Sequence, residues 1–174
     1  MAERRNRRSF TAEEASRLLA YDQETGILHW VHPTSSPSGM RPAGHQAGGE
    51  KDGYLQILLF GRYYRAHHLA WLLMTGGWPP AELDVEHRDR NRANNAWVNL
   101  RLATRSQNNM NAGRRKDNTS GQRGVGRRKD TGQWHARIAV GGKVHLLGQF
   151  ESYEDAVSAR KNAEARFFGD FAPA

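Results

Sequence analysis

Apolar patterns of different period follow one another along the chain, separated by polar breaks. Ser9-Phe10-Thr11-Ala12-Glu13-Glu14 predicts a helix start: Thr11 caps, Glu14 stands three residues later, and Ala15, Leu18 and Leu19 form one apolar face. Residues 22–26 form a turn, and 27–31 a short strand. Residues 32–53 are rich in Pro, Gly and Ser with no apolar period, which predicts a long loop. Residues 54–60 and 63–66, turning at Gly61-Arg62, predict a hairpin. Residues 67–75 predict a helix with Leu69, Leu72 and Leu73 at helical spacing, stopped by Gly76-Gly77-Trp78-Pro79-Pro80. A strand-like stretch over 83–87 leads into a loop, 88–95, crowded with Asp, Asn and Arg. Residues 97–102 return to an apolar pattern, and Thr104 caps a short helix through Asn111.

Residues 112–121 contain no large apolar group and predict a basic linker between domains at 1–111 and 122–174. Beyond it, 123–128 predict a first strand and 130–132 a turn. Trp134, Ala136, Ile138 and Val140 alternate with His135, Arg137 and Ala139, which predicts a strand with an inward and an outward face. Gly141-Gly142 is a tight turn, and 143–147 a third strand. Ser152 caps a helix over 153–167 that packs through Ala156, Ala159, Ala163 and Phe167. The expected fold class is α+β, ending in a three-stranded antiparallel sheet backed by one helix. No internal repeat is present.

Composition narrows the function. The 174 residues hold 26 Lys+Arg against 18 Asp+Glu, a net charge of +8, and no Cys. The absence of Cys excludes disulfide frameworks, Cys-ligated zinc and thiol catalysis. No apolar run nears the roughly 18–20 residues of a membrane span, and no apolar h-region follows the basic start, which argues against secretion. The basicity sits in two blocks, net +3 over residues 1–8 and net +6 over 112–129. Blocks of this kind in a chain of pI about 10.3 point to nucleic acid, because neutralising phosphates releases counterions.

Candidate chemistry concentrates in 84–108. His87 follows Glu86, Asn99 lies twelve residues on and Asn108 nine more. Phosphodiester hydrolysis needs a base that is neutral near pH 7, which His87 supplies, and a hard cation at the phosphate. Glu86 and the Asn108 amide offer oxygen ligands for Mg²⁺. Asn99 is suited to hold either the loop or the imidazole. By residue type alone, a solvated structural loop is the more ordinary reading. His67-His68 suggests zinc, but His68 packing at a helix start and bonding a loop is the preferred reading. The other histidines form no metal spacing.

Residues 54–111 resemble HNH nucleases of the phage and intron-homing type. The carriers are Tyr64-Arg65-Ala66-His67-His68-Leu69-Ala70-Trp71, Val85-Glu86-His87-Arg88-Asp89-Arg90-Asn91, Asn94-Asn95, Asn99-Leu100-Arg101, Thr104 and Asn108. The resemblance implies a ββα-metal fold gripping one divalent cation, Mg²⁺ or Mn²⁺. On this chain it implies His87 as general base, Asn99 as its positioning residue, and Glu86 and Asn108 as metal ligands. Glu86 stands where that family usually has Asp.

The C-terminal segment resembles an APETALA2-type DNA-binding domain through Arg123-Gly124-Val125, Gly132 to Ile138, Leu147-Gly148-Gln149-Phe150 and the Ala-rich helix. That implies double-stranded DNA as partner, met by Arg123, Arg127, Arg128, His135, Arg137 and Lys143, with Arg114, Arg115 and Lys116 of the linker on phosphates. Val144 and Leu146 occupy places where that family often has basic or aromatic residues. Together the resemblances imply a site-preferring endonuclease, monomer or homodimer, nicking or cutting both strands in the cytoplasm of a bacterial or phage-infected cell. The alternative is a DNA-binding regulator with a degenerate nuclease domain.

Overall fold

The computed structural model describes residues 10–36, 39–112 and 118–173, a mixture of helices and antiparallel sheets. Arg114, Arg115 and Lys116 lie outside the described residues. By its contacts the chain divides into two units, Met1–Thr104 and Arg105–Ala174.

In the first unit the Thr11 hydroxyl accepts from Glu14 N, and the Glu14 carboxylate accepts from Thr11 N at 2.7 Å. This capping box starts α1 (Ala12–Ser16). The helix stops short of Leu19, which opens β1 (Leu19–Tyr21) and pairs with β2 (Leu28–Trp30). Leu19 is fully buried, so helix and strand satisfy the same apolar position and its spacing does not decide between them.

Residues 32–53 are not a plain loop. They carry β3 (Thr34–Ser36), β4 (Gly39–Arg41) and β5 (Gly49–Lys51). β3 pairs with β4, and β5 joins β6 (Tyr54–Leu59). β4 and β5 are exposed throughout, so backbone pairing forms them without the apolar alternation that would announce them. β6 turns into β7 (Arg62–Arg65) through Phe60 and Gly61, at φ 50° and 75°, with Leu59 opposite Arg62. The turn therefore falls one residue before Gly61-Arg62, because Arg62 is already in the ladder.

α2 (Ala66–Thr75) ends on Gly76 in the left-handed conformation, and β8 (Leu83–His87) pairs with β9 (Leu100–Thr104). A single 3₁₀ turn, Trp97–Asn99, leads into β9. Leu19, Leu28, Ile57, Leu59, Leu69 and Leu72 form the main core. A smaller cluster of Ala70, Val85 and Leu100 seats the β8–β9 hairpin against α2.

In the second unit α3 (Arg105–Asn111) precedes β10 (Val125–Arg127), β11 (Trp134–Val140) and β12 (Lys143–Phe150), ordered β10-β11-β12. α3 groups with this unit rather than with residues 1–104, because Met110 packs on Ile138 and Phe168. The β11–β12 turn is made by Gly141 and Gly142, both at positive φ, as a two-residue hairpin requires. β12 runs on to Phe150 past an irregularity opposite Ala136 and Arg137. α4 (Tyr153–Phe168), capped by Ser152, buries Ala156, Arg160, Ala163, Glu164 and Phe168. Phe167, expected on the packing side, is 42% exposed. The buried stripe advances by four, three, one and four residues, and that brings Phe168 to the sheet instead. The Arg160 guanidinium fits this otherwise apolar stripe because it donates to Glu164 at 2.8 Å and to the Arg137 carbonyl at 2.6 Å.

Candidate active site

β8 ends with Val85, Glu86 and His87 all buried, and its ladder sets Glu86 opposite Arg101 and His87 opposite Leu100. His87 and Asn99 therefore stand at the two roots of the loop 88–98. The Asp/Asn content of this loop is spent on its own backbone. Asp89 accepts from Asn91 N at 2.8 Å, from Asn94 Nδ2 at 2.8 Å and from Asn99 Nδ2 at 2.9 Å. Asn99 Oδ1 accepts from Asp89 N at 3.0 Å, and its Nδ2 also donates to the Asn94 carbonyl. Burial alone would raise the Asp89 carboxyl, but these bonds outweigh it and hold it below the usual carboxylate range. Asn99 thus holds the loop.

The residue bonded to the imidazole is one the sequence reading did not single out. His87 Nε2–H donates to Asn95 Oδ1 at 3.1 Å. The Asn95 amide is oriented by its own Nδ2, which donates to the Ala93 carbonyl at 3.1 Å. With the proton on Nε2, the lone pair of neutral His87 lies on Nδ1. Burial holds the His87 pKa below the ordinary histidine range, against the opposing pull of Asn95 and Asp89, so the ring is neutral at pH 7. The His67 ring lies edge-on to His87, with centroids 4.7 Å apart, and fixes its tilt from α2.

The first hairpin braces this loop from behind. The Tyr21 hydroxyl donates to the Asn95 carbonyl at 2.7 Å, and Trp97 N donates to the Gln23 carbonyl at 2.9 Å. Burial, followed by the charge of Asp22, pushes the Tyr21 pKa up to about 12, so it stays a donor. Gly26 (φ 75°) lies so close that a Cβ there would meet the Asn95–Ala96 peptide at 2.2 Å. The glycine allows both the turn and this approach.

Two cations that have no assigned role from sequence also stand here. The Arg65 and Arg92 guanidiniums lie 4.1 and 4.7 Å from the Tyr54 ring centroid, and that ring is 6.3 Å from the ring of His87. Cation–π contact with one ring, between residues far apart in sequence, leaves no local signal.

Glu86 is buried and accepts from Arg101 Nε at 2.5 Å. Among the described residues no three His, Cys, Asp or Glu side chains gather to hold a metal ion. A carboxylate that already shares its charge with a guanidinium is a weak cage by itself. Mg²⁺, however, is commonly held by one or two carboxylates plus water and substrate phosphate. The donor chemistry of Glu86 therefore fits an ion that enters together with a phosphate. His68 is not zinc-like: its Nε2–H donates to Asp84 Oδ1 at 2.7 Å.

The remaining predicted residues lie in the second unit. Asn108 is on α3. Arg123 Nη1 donates to the Asn109 and Ala112 carbonyls at 2.6 and 2.8 Å, closing the end of α3. Arg127 donates to the Gly132 carbonyl at 2.8 Å, and Arg128 forks onto Asp130. His135 is half-buried, while Arg137 and Lys143 are exposed.

Residues 64–110 match the model of a family described as HNH endonuclease. The matched segment contains Glu86, His87, Asn99 and Asn108. The chain is similar to an uncharacterized HNH endonuclease of Acanthamoeba polyphaga mimivirus, 30% identical over 122 residues, or 70% of this chain and 62% of the relative. It is also similar to protein 3.8 of Escherichia phage T7, 35% identical over 81 residues, or 47% of this chain and 66% of the relative. The chain spans less than two thirds of either relative. No solved structure gives a significant match. Among the described residues, no helix is long and apolar enough to cross a membrane.

Proposed function

We propose that the protein is a divalent-metal-dependent DNA endonuclease in which His87 is the general base. The observation that carries this reading is the buried, neutral His87, whose Nε2 is committed to Asn95 inside the segment matched as an HNH endonuclease. His87 Nδ1 takes a proton from water, the water oxygen attacks phosphorus, and the bond from phosphorus to the 3′ oxygen breaks. Arg65 and Arg92 pair with the phosphate, and Asn99 holds the loop geometry. Glu86 would hold a divalent cation in the first unit. That ion supplies charge neutralisation to the phosphate and the leaving oxygen. Asn108 has an amide oxygen suited to a cation. The second unit acts as an APETALA2-like DNA-binding module: Arg137 and Lys143 meet DNA directly, with Arg127, Arg128 and His135 flanking them. One centre cuts one strand, so a monomer nicks and a dimer breaks both strands.

Supercoiled plasmid incubated with Mg²⁺ or Mn²⁺ tests the reading, with open circles as the expected product. His87→Ala should lower nicking by about 10³-fold or more and leave DNA affinity within about threefold, because the base acts on a proton in the transition state. The engagement of Glu86 by Arg101 favours a second reading, a DNA-binding regulator without cleavage. That reading predicts retained DNA binding and no open circles with either metal.

A further inference from the structure

A cavity of about 530 Å³ opens beside the β6–β7 hairpin, within the first unit, lined among others by Arg62, Tyr63, Arg65, His68, Trp78 and Asp84. On this hairpin Leu58 stands opposite Tyr63, and Gln56 opposite Arg65. Leu58 is 49% and Tyr63 71% exposed, so an aliphatic and an aromatic side chain face solvent next to two guanidiniums. Further in, Asp84 Oδ1 accepts from His68 and from Val85 N, whereas Oδ2 accepts from no protein donor among the described residues. The Asp84 side chain is 55% exposed. Tyr64 also lines the cavity, and its buried hydroxyl has no hydrogen-bond partner among the described residues. Arg65 belongs both to this cavity and to the Tyr54–His87 surroundings of the candidate active site.

Each feature asks for a different part of one ligand. An exposed aromatic ring beside an apolar side chain is a stacking platform for a base. Flanking guanidiniums suit a phosphate. An ionised carboxylate with an open oxygen repels phosphate but accepts N–H groups, as on the Watson–Crick edge of cytosine or guanine. A base inside an intact duplex cannot enter a concave site. We propose that this cavity is a subsite for one unpaired nucleotide of the DNA: Tyr63 stacks on the base, Arg62 and Arg65 meet its phosphate, and Asp84 reads amino protons, which thymine lacks. The proposal rests on DNA being the substrate. It makes the Arg65 phosphate neighbour the one presented to His87, so the subsite selects where cutting occurs.

The test is binding in EDTA, so that no cleavage is needed, to fluorescent 20-base-pair duplexes that are fully paired or carry one bulged C, G, A or T, and to a single-stranded 20-mer. The bulged C and G duplexes should bind about tenfold tighter than the paired one. Tyr63→Ala should remove that advantage while leaving paired-duplex affinity within about threefold. Asp84→Asn should erase the preference for C and G over T. Tight binding of the bulged duplexes alone assigns the subsite to a base extruded from duplex, and equal binding of the single strand assigns it to any unpaired nucleotide. DNA binding without preference for a bulge, or an equal loss on paired and bulged duplexes in Tyr63→Ala, overturns the subsite and leaves the nuclease reading standing. No binding to any DNA overturns both.

Discussion

The loop 88–99 and the outward face of β11 are both polar, and they are built in opposite ways. In the loop, Asp89, Asn94, Asn95 and Asn99 spend their side chains on one another, on the backbone and on His87, around buried groups. On β11, Arg137 and Ala139 face outward exposed, and the cations nearby that are held, Arg127 and Arg128, hydrogen-bond to their own turn. In the proposed mechanism, chemistry on a proton needs one orientation in a low-dielectric setting, which satisfied bonds in the loop suit. The proposed contact with phosphates needs hydrated charges whose counterions can leave, which exposure suits.

Substitutions that treat the two regions alike should therefore have unlike effects. The largest is expected at Arg101→Met, which removes the guanidinium compensating the buried Glu86 carboxylate. It should cost about 3–5 kcal/mol of stability in urea unfolding. A loss under 1 kcal/mol would mean that Glu86 is accommodated without Arg101.

Asn95→Ala comes next. It frees the His87 tautomer without touching a phosphate, so nicking should fall about a hundredfold while DNA affinity stays within about threefold. Unchanged nicking would show that the imidazole is positioned by other contacts.

On the exposed face, Arg137→Ala should leave the unfolding midpoint in place and reduce preference for a selected site over random duplex by about 2 kcal/mol. Equal losses on both DNAs would make Arg137 a phosphate contact.

The smallest effect is set by pH. His67 is buried beside His68, His87 and Arg65. Desolvation, followed by those neighbours, holds its pKa far below the ordinary histidine range. The folded state keeps His67 neutral while the unfolded chain protonates it below about pH 6.5. Stability should therefore be constant above that pH and fall by up to ~1.4 kcal/mol per pH unit below it. Urea midpoints from pH 8 to pH 5 measure the slope, and His67→Phe should lessen it, leaving the share of His87, whose pKa burial also lowers. An unchanged slope in that variant would assign the proton uptake to other groups.

Local chemistry was legible in the chain. The Thr11–Glu14 box, the Gly76 stop, the Gly141-Gly142 turn, the Trp134–Val140 alternation and the Ser152 cap each depend on residues within a few positions of one another. Glu86, His87 and Asn99 were also visible, because their spacing follows one strand, one loop and one return. What the sequence could not decide depends on groups brought together across the chain. Leu19 is buried in a strand or a helix alike, and only its pairing with Trp30 makes it a strand. The exposed strands β4 and β5 exist through backbone bonds that carry no side-chain pattern. Tyr21 and Gly26 support Asn95 from about seventy residues away, and Arg65 and Arg92 converge on Tyr54 from separate elements. Short-range bonds are encoded by adjacent residue types, whereas the partner of a buried polar group is fixed only when the topology has chosen which distant segments share a desolvated space.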